Sequence, residues 1–203
     1  MITIINYGLG NIAAFLNVFK RLNISARVAT CAEDLKTAEK IILPGVGSYN
    51  YALELLEKSG MKEVLEKQVL KEGIPVLGVC VGMQIMSRLS EEGNSDGLNW
   101  IPGEVLKFRK SDISSRTKTP HMGWNEVRPL KDNKLFRGLG RNPEFYFLHS
   151  YYYSCEKSYS ISTTTHGIEF TSAINHKNIY GVQFHPEKSH DYGEILLENF
   201  ANL

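Results

Sequence analysis

The chain has 203 residues, 42% hydrophobic and 22% charged, the balance of an ordinary globular protein long enough to bury a sizeable core. Its 23 Lys and Arg residues against 22 Asp and Glu leave a net charge of +1 with no basic stripe, which argues against a nucleic-acid partner. Three well-separated cysteines make neither a disulfide framework nor a metal pattern, and no apolar run reaches the roughly 20 residues that span a bilayer, so neither a metal nor a membrane role is expected.

The apolar start Met1-Ile2-Thr3-Ile4-Ile5-Asn6 has no basic residues ahead of it and reads as a strand over 2–6, not as a signal peptide. After a glycine loop, Ile12, Phe15, Leu16, Phe19 and Leu22 share one helical face. Strands are expected over 25–29 and 40–43, the second running into Pro44-Gly45-Val46-Gly47. Two helical stripes follow, Tyr49, Ala52, Leu53 and Leu56, then Met61, Val64 and Leu65. A buried strand over 76–79 meets a helix over 81–89. From Gly103 onward short strands rich in Tyr, Phe, Thr and Ile replace this alternation, and the polar run 107–119 reads as a mobile loop. A strand over 179–182 precedes a last helix over 192–200, with Tyr192, Ile195, Leu196, Asn199 and Phe200 turned to the core. The alternation predicts an α/β fold: one three-layer domain over 1–203 around a central mixed, mostly parallel sheet. Sites in such sheets lie at the carboxyl ends of strands, which puts Gly8, Gly45, Gly47, Cys80 and His185 on one rim.

Cys80 stands where the 76–79 strand breaks into a helix. A strand that turns this sharply lifts the turning side chain above the sheet edge, and Gly78 and Gly82 leave the cramped turn free of Cβ atoms. Downstream, His185 is followed two residues later by Glu187. A thiol, a base that takes its proton and a carboxylate that orients the base are the parts of a cysteine triad. A lone cysteine among apolar residues is more often a small buried hydrophobe; the flanking glycines and the break into a helix favour the nucleophile. Cys31 and Cys155 lack that setting and read as packing residues. The Val81 N–H, one residue past the nucleophile, is the first candidate oxyanion donor, and the Pro44–Gly47 loop is the source of a second. His121, His149, His166, His176 and His190 have no carboxylate at the right offset and default to structural or surface roles.

Gly78-Val79-Cys80-Val81-Gly82-Met83-Gln84 with His185-Pro186-Glu187 resembles the class I, or triad, glutamine amidotransferases. The likeness narrows to glutaminase subunits of imidazole glycerol phosphate synthase. It rests on Asn6-Tyr7-Gly8-Leu9-Gly10-Asn11, Pro44-Gly45-Val46-Gly47, Pro120-His121-Met122-Gly123-Trp124-Asn125, Phe147-Leu148-His149-Ser150-Tyr151 and His185-Pro186-Glu187-Lys188-Ser189, in the family's order along nearly the whole chain. Val81 departs from the leucine usual there, which a backbone donor tolerates.

The resemblance implies a flavodoxin-like glutamine amidotransferase fold, glutamine as substrate, and no metal or organic cofactor. It assigns the second oxyanion donor to the Val46 N–H, with Gly45 and Gly47 beside it, and substrate binding to Gln84, Glu92, Ser150 and Tyr151. It implies a heterodimer with a (β/α)8 cyclase subunit that consumes the ammonia in histidine biosynthesis. The docking face would comprise residues 7–11, with Asn11, plus Trp124 and Lys188. A working thiol suits the cytoplasm. Residues 96–102 and 188–193 look closer to paralogues that supply ammonia for sugar amidation in surface-polysaccharide synthesis, which keeps that acceptor as the alternative. Readings of another class are a cysteine peptidase-like relative, with an open cleft and no need of Gln84 and Glu92, or a silent binding subunit, with a broken triad.

Overall fold

Short, largely apolar runs, buried along most of their length except at the edge strand over 26–29, build the centre of the molecule. In the computed structural model, which describes residues 1–93, 95–109 and 118–203, these are strands β1 (Ile2–Ile5), β2 (Ala26–Ala29), β3 (Lys40–Leu43) and β4 (Val76–Val79). Helices α1 (Ile12–Arg21), α2 (Ala32–Leu35), α3 (Tyr49–Lys58) and α4 (Lys62–Glu66) connect them. Of the polar run 107–119, residues 110–117 lie outside the described residues.

The second half supplies the one-turn helix α5 (Val81–Gln84) and strands β5 (Leu89–Ser90), β6 (Ser95–Asp96), β7 (Glu104–Lys107), β8 (His121–Glu126), β9 (Arg128–Pro129) and β10 (Glu144–His149). Strands β11 (Tyr151–Ser154), β12 (Ser160–His166), β13 (Ile168–His176) and β14 (Ile179–Val182) and helix α6 (His190–Ala201) complete it. One sheet runs β2-β1-β3-β4-β14-β13-β11-β7-β5-β6, with β12 and β9 branching from β13. Its first five strands are parallel, and its other half is largely antiparallel. Strands β8 and β10 form a separate antiparallel pair. No helix of the described residues is long and apolar enough to cross a membrane.

Three local expectations are corrected. The helix behind Cys80 ends at Gln84, not at 89. The carbonyls of Ile85, Met86 and Ser87 accept N–H groups from Leu98, Trp100 and Asn99, so residues 97–101 take the acceptors that further helical turns would use. Helix α6 buries Gly193, Leu196, Leu197 and Phe200, whereas Tyr192 is 39% exposed. Gly193 sets that rotation, because a Cβ there would lie 1.9 Å from the Pro186 oxygen and only glycine permits the approach. Asn199 faces sideways and donates to the Leu135 and Arg137 carbonyls. Cys31 is exposed at the N-cap of α2, where its N–H and that of Thr30 bond the Asp34 carboxylate; it is not a packing residue. Cys155 is half-buried, and burial pushes its thiol up to about 11.

Candidate active site

Parallel pairing of β4 and β14 decides where the chemistry sits. Val79 and Val182 are register partners, and the Cys80 N–H donates to the Val182 carbonyl at 2.8 Å. The chain therefore leaves both strands side by side, with Cys80 on one and Gln183-Phe184-His185 on the other. Cys80 turns with φ 54° and ψ −112°, a strained conformation for a residue with a Cβ. Neighbouring backbone holds it there: a Cβ on Gly82 would lie 2.0 Å from the Leu43 oxygen, so α5 starts pressed against the end of β3.

His185 is anchored at both ends of its backbone. Its N–H donates to the Tyr146 carbonyl at 2.8 Å, and its own carbonyl accepts the Ser189 hydroxyl at 2.6 Å. Its Nδ1 meets Glu187 Oε1 at 2.9 Å, with both side chains almost fully buried. A carboxylate accepts, so Nδ1 carries the hydrogen and Nε2 faces away toward the reacting groups. Nε2 and Glu187 Oε2 are buried without a hydrogen-bond partner among the described residues. Burial disfavours the imidazolium, but the facing Cys80 sulfur and Glu187 outweigh it and push the His185 pKa up to about 10. An imidazole made more basic in this way can take the proton of the thiol beside it and later hand it to a leaving amine.

Cys80 and His185 line a cleft of about 280 Å³ with Val46, Gly47 and Val81. Gln84, Glu92, Ser150 and Tyr151 line it too. Gln84 is buried instead of solvated, and its Nε2 donates to the Tyr151 carbonyl and to Gln183 Oε1, each at 3.0 Å. Glu92 Oε2 accepts the Tyr49 N–H at 2.8 Å and caps α3, whose own N-cap Ser48 makes no side-chain bond. The Ser150 carbonyl accepts the Phe108 N–H at 3.2 Å. As the first N–H of a helix, that of Val81 has no intrahelical acceptor.

The expected docking residues separate. Trp124 is 46% exposed and stacks on His190 at 5.2 Å. Lys188 Nζ lies 5.7 Å above the ring of Tyr146, the cross-strand partner of Trp124. Exposed Met122 and Leu148, themselves cross-strand partners, extend Trp124 and Tyr146 into an outward apolar face on β8 and β10, with Lys188 beside it. Asn11 is exposed and caps α1 by accepting the Ala14 N–H. Tyr7 is buried and leaves the expected docking face; its hydroxyl donates to the Pro44 carbonyl at 2.7 Å and pins the glycine loop. Burial, with Cys80 nearby, raises its pKa.

Sequence reasoning passed over Gln183, whose Nε2 lies 3.7 Å from Cys80 Sγ, and the Leu148 carbonyl, 3.8 Å from the same sulfur. The first was open to inference, since alternate residues of an extended segment share a side and Gln183 stands two before His185. His121 and His149 are bonded to each other at 2.9 Å, and burial pushes them down to about 2 and about 3. Neither is a base at neutral pH.

Residues 3–202 match the family model "Glutamine amidotransferase class-I". The chain is 50% identical, over the full length of both, to "Imidazole glycerol phosphate synthase subunit HisH" of Bdellovibrio bacteriovorus. It is 43% identical, again over both full lengths, to "Imidazole glycerol phosphate synthase subunit HisH 2" of Pseudomonas aeruginosa. A crystal structure described as a glutamine amidotransferase superposes with a TM-score of 0.75 at 16% identity, covering 99% of each chain.

Proposed function

Because the chain belongs to the class I glutamine amidotransferase family, we propose that it is the glutaminase subunit of an imidazole glycerol phosphate synthase, formed by one domain over 1–203. The observation that most supports this reading is the shared cleft of Cys80, on its strained turn, and the His185–Glu187 pair at 2.9 Å.

Glutamine enters with its side-chain amide toward Cys80. Gln84 contacts that substrate, Ser150 and Tyr151 frame its backbone, and the Glu92 carboxylate receives its α-ammonium group. The sulfur attacks the amide carbon as its proton passes to His185. Val46 and Val81 N–H groups take the oxyanion; losing one such donor typically costs about a hundredfold or more in rate. His185 protonates the departing ammonia and then activates water, which cleaves the γ-glutamyl thioester to glutamate and returns the thiol. Glu187 keeps Nδ1 protonated throughout. No cofactor takes part.

Ammonia released into bulk water would be protonated, so it passes to a cyclase subunit. We assign that partner a (β/α)8 barrel docked on Trp124, Lys188 and the start of α1 at Asn11, in a cytoplasmic heterodimer. A cleft of about 280 Å³ suits an amino acid better than a polypeptide, which disfavours the peptidase reading.

The test is glutamate release from glutamine, alone and with a purified cyclase subunit plus its phosphoribosyl ligand. Turnover that the liganded cyclase stimulates strongly, and that Cys80→Ala abolishes, supports the full reading. Turnover that needs Cys80 but ignores the cyclase moves the acceptor to sugar amidation. Turnover that survives Cys80→Ala ends the nucleophile assignment.

A further inference from the structure

We propose that Gln183 is a positioning residue for the Cys80 sulfur, a role that rests on the reading of Cys80 as nucleophile. Its side chain is wholly buried on the first turn after β14. Nε2 donates to Sγ at 3.7 Å, and Oε1 accepts from Gln84 Nε2 at 3.0 Å.

The direction of these amides is fixed by their neighbours. A backbone carbonyl only accepts, so the Gln84 atom 3.0 Å from the Tyr151 oxygen is its nitrogen. That nitrogen's second hydrogen meets Gln183, so the Gln183 atom there is the oxygen. The Gln183 nitrogen is thereby aimed at the sulfur. The same Tyr151 carbonyl accepts from His149 Nδ1 at 2.7 Å. That sets the His149 tautomer and leaves Nε2 to accept from His121 Nδ1 at 2.9 Å. His121 Nε2 in turn accepts from Asn125 Nδ2 at 3.0 Å, which also donates to the Thr165 carbonyl. One chain of bonds thus runs from β8 to the nucleophile, and its neutral histidines leave no link free to reverse.

The chemistry gives Gln183 work at a defined moment. The Cys80 thiol donates to the Leu148 carbonyl at 3.8 Å while it holds its proton. When the proton passes to His185, that carbonyl faces an anion and its hold is lost. The Gln183 N–H then becomes a bond to a charged sulfur, roughly twice as strong as its neutral counterpart. It keeps the sulfur aimed during attack and receives it again when water expels it from the thioester.

Two full-length variants separate this role from simple hole-filling. Gln183→Met keeps the length and removes both donor and acceptor. Gln183→Glu keeps the acceptor toward Gln84 and, ionised, offers the sulfur no hydrogen. Thermal melting verifies that each folds. Cys80 alkylation by iodoacetamide is read by peptide mass, with exposed Cys31 as internal reference. In both variants, Cys80 alkylation relative to Cys31, and kcat for glutamine, should fall about tenfold or more while KM stays within about threefold. Alkylation and kcat within about twofold of wild type in both variants would overturn the proposal. A fully active Met variant would overturn it on its own, since that side chain has no hydrogen to give the sulfur. Loss of turnover in Cys80→Ala with Gln183 variants like wild type would remove only this inference; turnover surviving Cys80→Ala would remove the nucleophile reading beneath it.

Discussion

Gly45 and Gly82 meet backbone to backbone: a Cβ added to Gly45 would lie 2.4 Å from the Gly82 nitrogen. This contact brings the Pro44–Gly47 loop and the start of α5, and with them Val46 and Val81, to one cleft. Gly45→Ala must push the two apart. It should cost about 1–3 kcal/mol of stability and lower glutaminase turnover about a hundredfold. Gly60→Ala, where no heavy atom lies within 4 Å, is the control. Its positive φ should cost about 1 kcal/mol while turnover stays at the wild-type value, as melting and glutamate release will report.

Glu187→Gln should keep the fold and lower kcat by about a thousandfold to ten-thousandfold, because an amide can stabilise the wrong imidazole tautomer. A pH signature accompanies it. The His185 pKa is raised from 6.5 to about 10, so its contribution to stability is complete below 6.5 and is lost as pH rises through about 10. Glu187 supplies part of that shift. The stability gap between wild type and Glu187→Gln, from denaturant melts, should be widest near about pH 6 and narrow toward about pH 10.

His121 and His149 carry the opposite sign. Their folded pKa values lie below 6.5, so the unfolded chain binds the extra protons and stability falls as pH drops below 6.5. At about pH 5, roughly 1.5 units below the free value, each costs about 2 kcal/mol. His149→Gln, which can still donate and accept, should lose about 2 kcal/mol less than wild type between about pH 7.5 and pH 5. Urea unfolding at the two pH values checks it; equal losses would show that His149 does not titrate on unfolding.

Trp124→Ala tests the outward face of β8 and β10. The indole is 46% exposed, so melting should shift by no more than about 1 kcal/mol, chiefly from the lost His190 stack. Affinity for the cyclase subunit, by titration calorimetry, should fall tenfold or more if the aromatic is a central anchor, since such truncations cost about 2 kcal/mol or more. Unchanged affinity would move the docking face elsewhere.

Much of this site was legible in the chain because it lies in local motifs. The strand-to-helix break at Cys80 and the two-residue offset of Glu187 from His185 are visible without a fold, since an elbow and an oriented base each need residues at fixed short spacing. The parallel half of the sheet followed from alternating apolar runs. The misjudged elements were set by contacts that the local pattern does not show. Residues 97–101 end the helix after Cys80. Gly193 turns α6 so that Leu197, not Tyr192, is buried.

By itself, then, the sequence determined the residue types of the chemistry, the class of fold and the rim on which the site sits, because side-chain period and turn chemistry are local properties. Only tertiary structure decided that β4 and β14 are neighbours in register, that Gly45 abuts Gly82, and that Tyr7 is an inner pin of the glycine loop. It also decided that Gln183 reaches the sulfur through a direction imposed by Gln84, Tyr151 and His149. Those relationships join residues tens of positions apart through single buried hydrogen bonds and close backbone contacts, and only packing sets which distant groups meet.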